Sequence, residues 1–99
     1  MSSLSNSQKR FLKSKAHALK PVVIIAGNGL SDNVLAAIEE ALDIHELIKV
    51  KIKADDREEK NAITDRICQQ TKAENIQSVG HVLTLFRPAK TAKIILPKK

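Results

Sequence analysis

The sequence predicts a single compact α/β domain of order α-β-α-β-α-β-β with a four-stranded mixed sheet. Three observations carry that expectation. Pro21-Val22-Val23-Ile24-Ile25 is the most apolar run of the chain, and it leads through Ala26-Gly27-Asn28-Gly29-Leu30 into a helix-like stretch from Ser31. From Ile48 to Lys53, apolar residues and lysines alternate strictly. Two β-rich runs, 76–79 and 82–87, flank Gly80-His81 as the arms of a hairpin would. Strand, helix and strand in about thirty residues make a βαβ unit, which implies a parallel pair with a right-handed crossover. The hairpin adds antiparallel neighbours, so the sheet is mixed.

The first helix begins at Ser5, because Ser5 and Gln8 have the spacing of a capping box. Phe11, Leu12, Ala16 and Leu19 fall on one side of it, and Lys9, Arg10, Lys13 and Lys20 on the other, with Lys15 nearer the apolar stripe. Pro21 is expected to end the helix, and His17 to lie within it as a hydrogen-bonding structural residue. Residues 22–25, continuous and β-branched, predict a central strand covered on both faces. Ser31 is a suitable N-cap for the second helix, with Asp32 in its first turn. Val34, Leu35, Ile38, Ala41 and Leu42 form the apolar side of that helix, and Glu39, Glu40 and Asp43 turn outward.

In the next strand Ile48, Val50 and Ile52 point one way and Lys49, Lys51 and Lys53 the other. A lysine stripe on an exposed sheet face or edge serves protection against aggregation and contact with a phosphate backbone equally well. Asp55-Asp56-Arg57-Glu58-Glu59 places four carboxylates in five residues. The spacing of Asp55 to Glu58, or of Asp56 to Glu59, fits a helix cap better than a metal site, since no further ligand cluster accompanies it. The third helix runs to about Gln70, with Ala62, Ile63 and Ile67 inward and Cys68 as a small, partly buried side chain. Pro88 stops the last strand. The domain therefore spans 1–88, and 89–99 form a basic C-terminal extension in which Ile94-Ile95-Leu96 add a short strand or dock on the domain.

Composition bounds the function. The chain has 99 residues, 42% hydrophobic but only 2% aromatic, so its core is aliphatic. No apolar run approaches the roughly 18 residues of a membrane span, and the N-terminus lacks the apolar stretch of a signal peptide. These features, with the lone Cys68, lead us to expect a monomeric cytoplasmic protein with no membrane partner. The net charge of +6 is segregated. Residues 1–20 carry five bases and no acid, residues 21–48 carry five acids and no Lys or Arg, and residues 81–99 again carry five bases and no acid. A fold built from such blocks has a basic side and an acidic side, and the basic side suits a polyanion.

A strand, a glycine loop and a helix start form a backbone platform for an anion. Gly27-Asn28-Gly29 is followed by Leu30-Ser31, however, without the Lys-Ser/Thr of a P-loop or the third glycine of a dinucleotide fingerprint. Cys68 and the three histidines carry no supporting motif. We therefore expect no enzyme activity, no catalytic residue, no metal and no cofactor. The loop is closer in kind to the Gly-x-x-Gly loop with which KH domains clamp a nucleic-acid backbone, although Asp32 opposes an incoming phosphate.

Ala16-His17-Ala18-Leu19-Lys20-Pro21-Val22-Val23, Gly27-Asn28-Gly29-Leu30, Ala41-Leu42-x-x-His45-Glu46-Leu47-Ile48-Lys49-Val50 and Leu83-Thr84-Leu85-Phe86-Arg87-Pro88, in that order, resemble the CRM domain. The resemblance is closest to its small stand-alone bacterial members, of the YhbY type. It implies an RNA-binding domain related in fold to the C-terminal domain of bacterial translation initiation factor three. It also implies association with precursors of the large ribosomal subunit, so that the partner RNA is ribosomal. The family loop is Gly-x-x-Gly, and here Ala26 stands at its first glycine. We assign Ala26 to the strand and the turn to Gly27 or Asn28. Lys72 stands where the family tends to have glycine after the third helix.

The expected RNA contacts are thus Gly27, Asn28 and Gly29 from the resemblance, and Lys9, Arg10, Lys13, Lys20, Lys49, Lys51 and Lys53 from the charge pattern. With no Trp or Tyr, recognition is expected to rest on phosphates and RNA shape. The competing reading is a protein-interaction module that uses the acidic second helix, with RNA incidental.

Overall fold

The computed structural model describes residues 4–25, 30–54, 56–88 and Ile94. Seven elements follow one another as α1 (Asn6–Ala16), β1 (Pro21–Ile25), α2 (Asp32–His45), β2 (Leu47–Ile52), α3 (Arg57–Thr71), β3 (Glu74–Val79) and β4 (Val82–Phe86). The strands form one mixed sheet in the order β1-β2-β4-β3, with β1 parallel to β2 and β4 antiparallel to both β2 and β3. Fold class and element order are as the sequence predicts.

Local chemistry sets the helix starts. Ser5 Oγ accepts from the Gln8 N–H while Gln8 Oε1 accepts from the Ser5 N–H, a reciprocal capping box. Ser31 caps α2 by accepting from Val34 N–H. Asp56 caps α3 by accepting from Glu59 N–H at 2.7 Å, which accounts for the acidic run as a cap with Glu58 and Glu59 in the first turn. Asp55 lies outside the described residues.

Helix ends are less regular. α1 stops at Ala16, well before Pro21, with His17 as its exposed C-cap residue. Leu19 and Lys20 therefore belong to the connection and not to the helix faces expected of them, and Leu19 is 38% exposed. Pro21 instead opens β1, where its missing N–H is tolerated at a strand start. α2 passes into β2 through the single residue Glu46 at φ 64°, a reversal compact enough to need no loop. Glu46 is fully buried. Its carbonyl accepts from Arg87 N–H and its carboxylate from Ile94 N–H, each at 2.9 Å. α3 ends at Thr71, and Lys72 takes the left-handed conformation, φ 60° and ψ 26°.

The core is split by the sheet. On one side α2 and α3 bury Ile38, Leu42, Ile63 and Ile67 against Ile25, Ile48, Val50, Ile52, Leu83 and Leu85. Each such aliphatic side chain contributes roughly 1.5–3 kcal/mol when fully buried. On the other side α1 lays Leu12 and Ala16 over Leu47, Ile76 and Phe86, with Ile94 packed alongside. The docking alternative for Ile94 thus holds at that residue, while Ile95 and Leu96 lie outside the described residues. Among the described residues no helix is long and apolar enough to cross a membrane.

Two packing expectations are corrected. β1 is an edge strand, not a central one, and only one of its faces is covered: Val22 and Ile24 are 51% and 57% exposed, whereas Ile25 is buried. A short β-branched run reads alike whether its second face meets helices or solvent. Ala62 is exposed and does not join Ile63 and Ile67 in the core. The hairpin closes at Gly80-His81 as expected, with Val79 opposite Val82 and Gly80 alone of the two at positive φ, 58°. That is the position a type II′ turn gives to glycine.

Candidate nucleic-acid interface

Side-chain alternation fixes what lies on the α1 side of the sheet. Leu47 faces α1, so Lys49 and Lys51 follow it on that face while Ile48, Val50 and Ile52 enter the opposite core. Phe86 faces α1, so Thr84 and Val82 do as well. α1 is eleven residues long and covers only the end of the sheet that carries Leu47, Phe86 and Ile76. Among the described residues no element covers the remainder of the face. Its floor is a grid in which Lys49 pairs with Thr84 and Thr84 with Gln77, and in the next row Lys51 pairs with Val82 and Val82 with Val79. Val22 and Ile24 add an exposed apolar margin along β1, where Ile24 is the register partner of Lys51.

The structure brings together part of the basic set. Lys13 of α1 and Lys49 of β2 line one depression of about 310 Å³, and His17, one turn beyond Lys13, lines it too. Lys51 follows Lys49 along the same face. The Lys53 N–H donates to the Ile25 carbonyl at 2.9 Å, so the third lysine stands beside the last described residue before 26–29. Gly27, Asn28 and Gly29, with Ala26, lie outside the described residues. Their flanking residues Ile25 and Leu30 are both anchored in the α2–α3 core.

The other cations go elsewhere. Lys20 lines a separate groove of about 480 Å³ with Lys15, Leu19 and Val22. Lys15 Nζ also stands 5.5 Å from the centroid of the Phe11 ring, a cation–π contact. Lys9 faces a depression shared with Cys68 and Glu74, and Arg10 is exposed on α1. The Cys68 thiol has its pKa raised, first by burial and then by the charges of Asp65 and Glu74, so it stays protonated near neutral pH.

Charge is only partly sorted by the sheet, because α3, on the same side as α2, carries Arg57, Lys60 and Arg66 beside its acids. Among the described residues no carboxylate lines the Lys13–Lys49 depression. On the α2 side the acids are engaged by Arg87, whose guanidinium donates to Glu39 Oε1 at 2.9 Å, to Asp43 Oδ1 at 2.8 Å and to the Thr71 carbonyl at 2.7 Å. Arg87 is therefore a structural clamp joining the end of β4 to α2 and α3. Among the described residues no group of three or more His, Cys, Asp or Glu gathers as metal ligands would.

Sequence reasoning missed His17, Gln77, Thr84 and the exposed Val22, Ile24 and Val79 as neighbours of the lysines. His17 was within reach, since it stands four residues after Lys13 and shares its helical side. Gln77 and Thr84 were not, because their place beside Lys49 depends on strand order and on the register shift between Asn75 and Gln77.

Comparison with known proteins adds an independent line. The family model of the CRS1 / YhbY (CRM) domain matches residues 4–87. A Haemophilus influenzae protein named "RNA-binding protein" is 54% identical over 99 residues, covering all of both chains. The Bacillus subtilis protein named "Probable RNA-binding protein YqeI" is 36% identical over 92 residues, covering 93% of this chain and 96% of the relative. The solution structure of a Staphylococcus aureus hypothetical protein superposes with a TM-score of 0.81 at 30% identity, over 95% of this chain and 99% of that one.

Proposed function

The chain belongs to the CRS1 / YhbY (CRM) domain family, and from that premise we propose that it is a non-catalytic RNA-binding protein. In this reading it acts in the cytoplasm as a monomer on precursors of the large ribosomal subunit. The observation that carries the proposal is the half of the α1-side sheet face beyond α1, where Lys13, Lys49 and Lys51 gather and where, among the described residues, no carboxylate lines the depression. Cations grouped on one face release condensed counterions on meeting a phosphate backbone, which gives affinity without base recognition. The names of the relatives point to the same ligand class.

Gly27, Asn28 and Gly29 complete the surface in this proposal by offering backbone N–H groups to a phosphate. Lys53, whose N–H donates to the Ile25 carbonyl, stands beside the last described residue before that sequence. Lys9, Arg10 and Lys20 act as outlying charges that steer the encounter. The reading of α2 as a protein-docking helix has less support, because Glu39 and Asp43 already bind Arg87.

Sedimentation of cell extract on a density gradient tests the assignment. The protein is expected with large-subunit precursors and absent from mature subunits. Sedimentation only as free protein would contradict the ribosomal part of the proposal.

A further inference from the structure

We infer that the depression between α1 and the open sheet face is a pocket for one unpaired nucleotide, holding the base as well as the phosphate. The inference rests on the RNA-binding reading and gives it a substrate class: RNA with unstacked bases, in place of duplex recognised by shape alone.

The wall and one end of the pocket carry the cations Lys13 and Lys49, with His17 beside Lys13. The middle and far side carry none. Thr84 and Gln77 continue the row that begins at Lys49, each paired across its strand neighbour. Among the described residues neither the Gln77 amide nor the Thr84 hydroxyl has a hydrogen-bond partner, and no buried side-chain polar atom is left unsatisfied. The half-buried Gln77 amide is therefore open to an incoming ligand, while Thr84, only 4% exposed, lies in the floor of the pocket. Gln77 offers a donor and an acceptor together, the pairing that the edge of a base presents in return.

Val82 and Val79 lie beside them in the next row and supply an apolar surface, with Val79 59% exposed. A phosphate alone has no use for that surface, whereas the face of a base does. Spacing fits as well. Adjacent strands lie about 4.8 Å apart, so Lys49 and Gln77, two strands apart, are separated by roughly 10 Å. That is comparable with the span of a nucleotide from its phosphate to the pairing edge of its base. The volume of about 310 Å³ suits one nucleotide.

The test compares three probes by fluorescence anisotropy: a short single-stranded RNA, the same strand with abasic sites, and a duplex with the same number of phosphates. The intact single strand is expected to bind about tenfold more tightly than the abasic strand, the scale of one base contact. Gln77→Ala is expected to reduce that preference about fivefold, the scale of one net hydrogen bond, without changing the salt dependence. Val79→Ala, at the exposed end of the hairpin, serves as a second variant should the first perturb the sheet. Equal binding of intact and abasic strands, with both variants silent, would overturn the pocket and leave RNA binding standing. No binding to any of the three probes would overturn the RNA-binding reading and the pocket with it.

Discussion

The Lys53 N–H donates to the Ile25 carbonyl across 2.9 Å, joining the end of the β2 lysine stripe to the residue from which the chain enters Ala26-Gly27-Asn28-Gly29. The stripe thus ends beside Ile25, the last described residue before the glycine sequence.

The first consequence concerns salt. If Lys49 and Lys51 each neutralise a phosphate, replacing either with alanine lowers the slope of log K against log salt by about 0.7–0.9. Lys72→Ala, next to the end of α3, leaves the slope unchanged. Titration of labelled RNA at several salt concentrations measures all three.

Gly29→Asp places a carboxylate in the glycine sequence. We expect RNA affinity to fall about tenfold or more from like-charge repulsion, with the fold retained. Filter binding together with the urea midpoint separates the two effects, and unchanged affinity in a folded variant removes this sequence from the interface.

Arg87→Ala removes the donors to Glu39, Asp43 and the Thr71 carbonyl and leaves two carboxylates facing each other on α2. The side chain is 19% exposed, so the loss is screened only in part, and we expect about 2–3 kcal/mol of destabilisation in urea. RNA affinity of the folded variant stays the same, because Arg87 clamps the side of the sheet opposite Lys49.

Lys72→Gly relieves a non-glycine residue held at φ 60°. The left-handed conformation costs an L-residue roughly 1–2 kcal/mol, offset in part by the extra freedom glycine brings to the unfolded chain. Thermal or urea unfolding should report a net gain of about 0.5–1 kcal/mol.

These outcomes divide along the line between local and non-local information. Ser5 with Gln8, Asp56 with Glu59 and Gly80 in its turn were legible because each is decided within four residues. The alternation through Lys49 and Lys51 was legible for the same reason. The edge position of β1 was not, since nothing in Val22-Val23-Ile24-Ile25 records how short α1 is or that it docks over β2, β3 and β4. The end of α1 at Ala16 was obscured by Pro21, a stronger stop signal than the chain needed. At the candidate site the lysines of β2 could be read directly. Their partners Thr84 and Gln77 arrive from two other strands, and Lys9 and Lys20 diverge because the helix geometry that grouped them in the sequence does not extend to Lys20.

The account turns on one face of the sheet, and amide chemical-shift mapping on adding RNA tests it most directly. The account predicts shifts at Lys13, His17, Lys49, Lys51 and Gly27-Asn28-Gly29, with α2 unmoved around Glu40. Shifts confined to α2 and α3, with the β2 lysines silent, would contradict it.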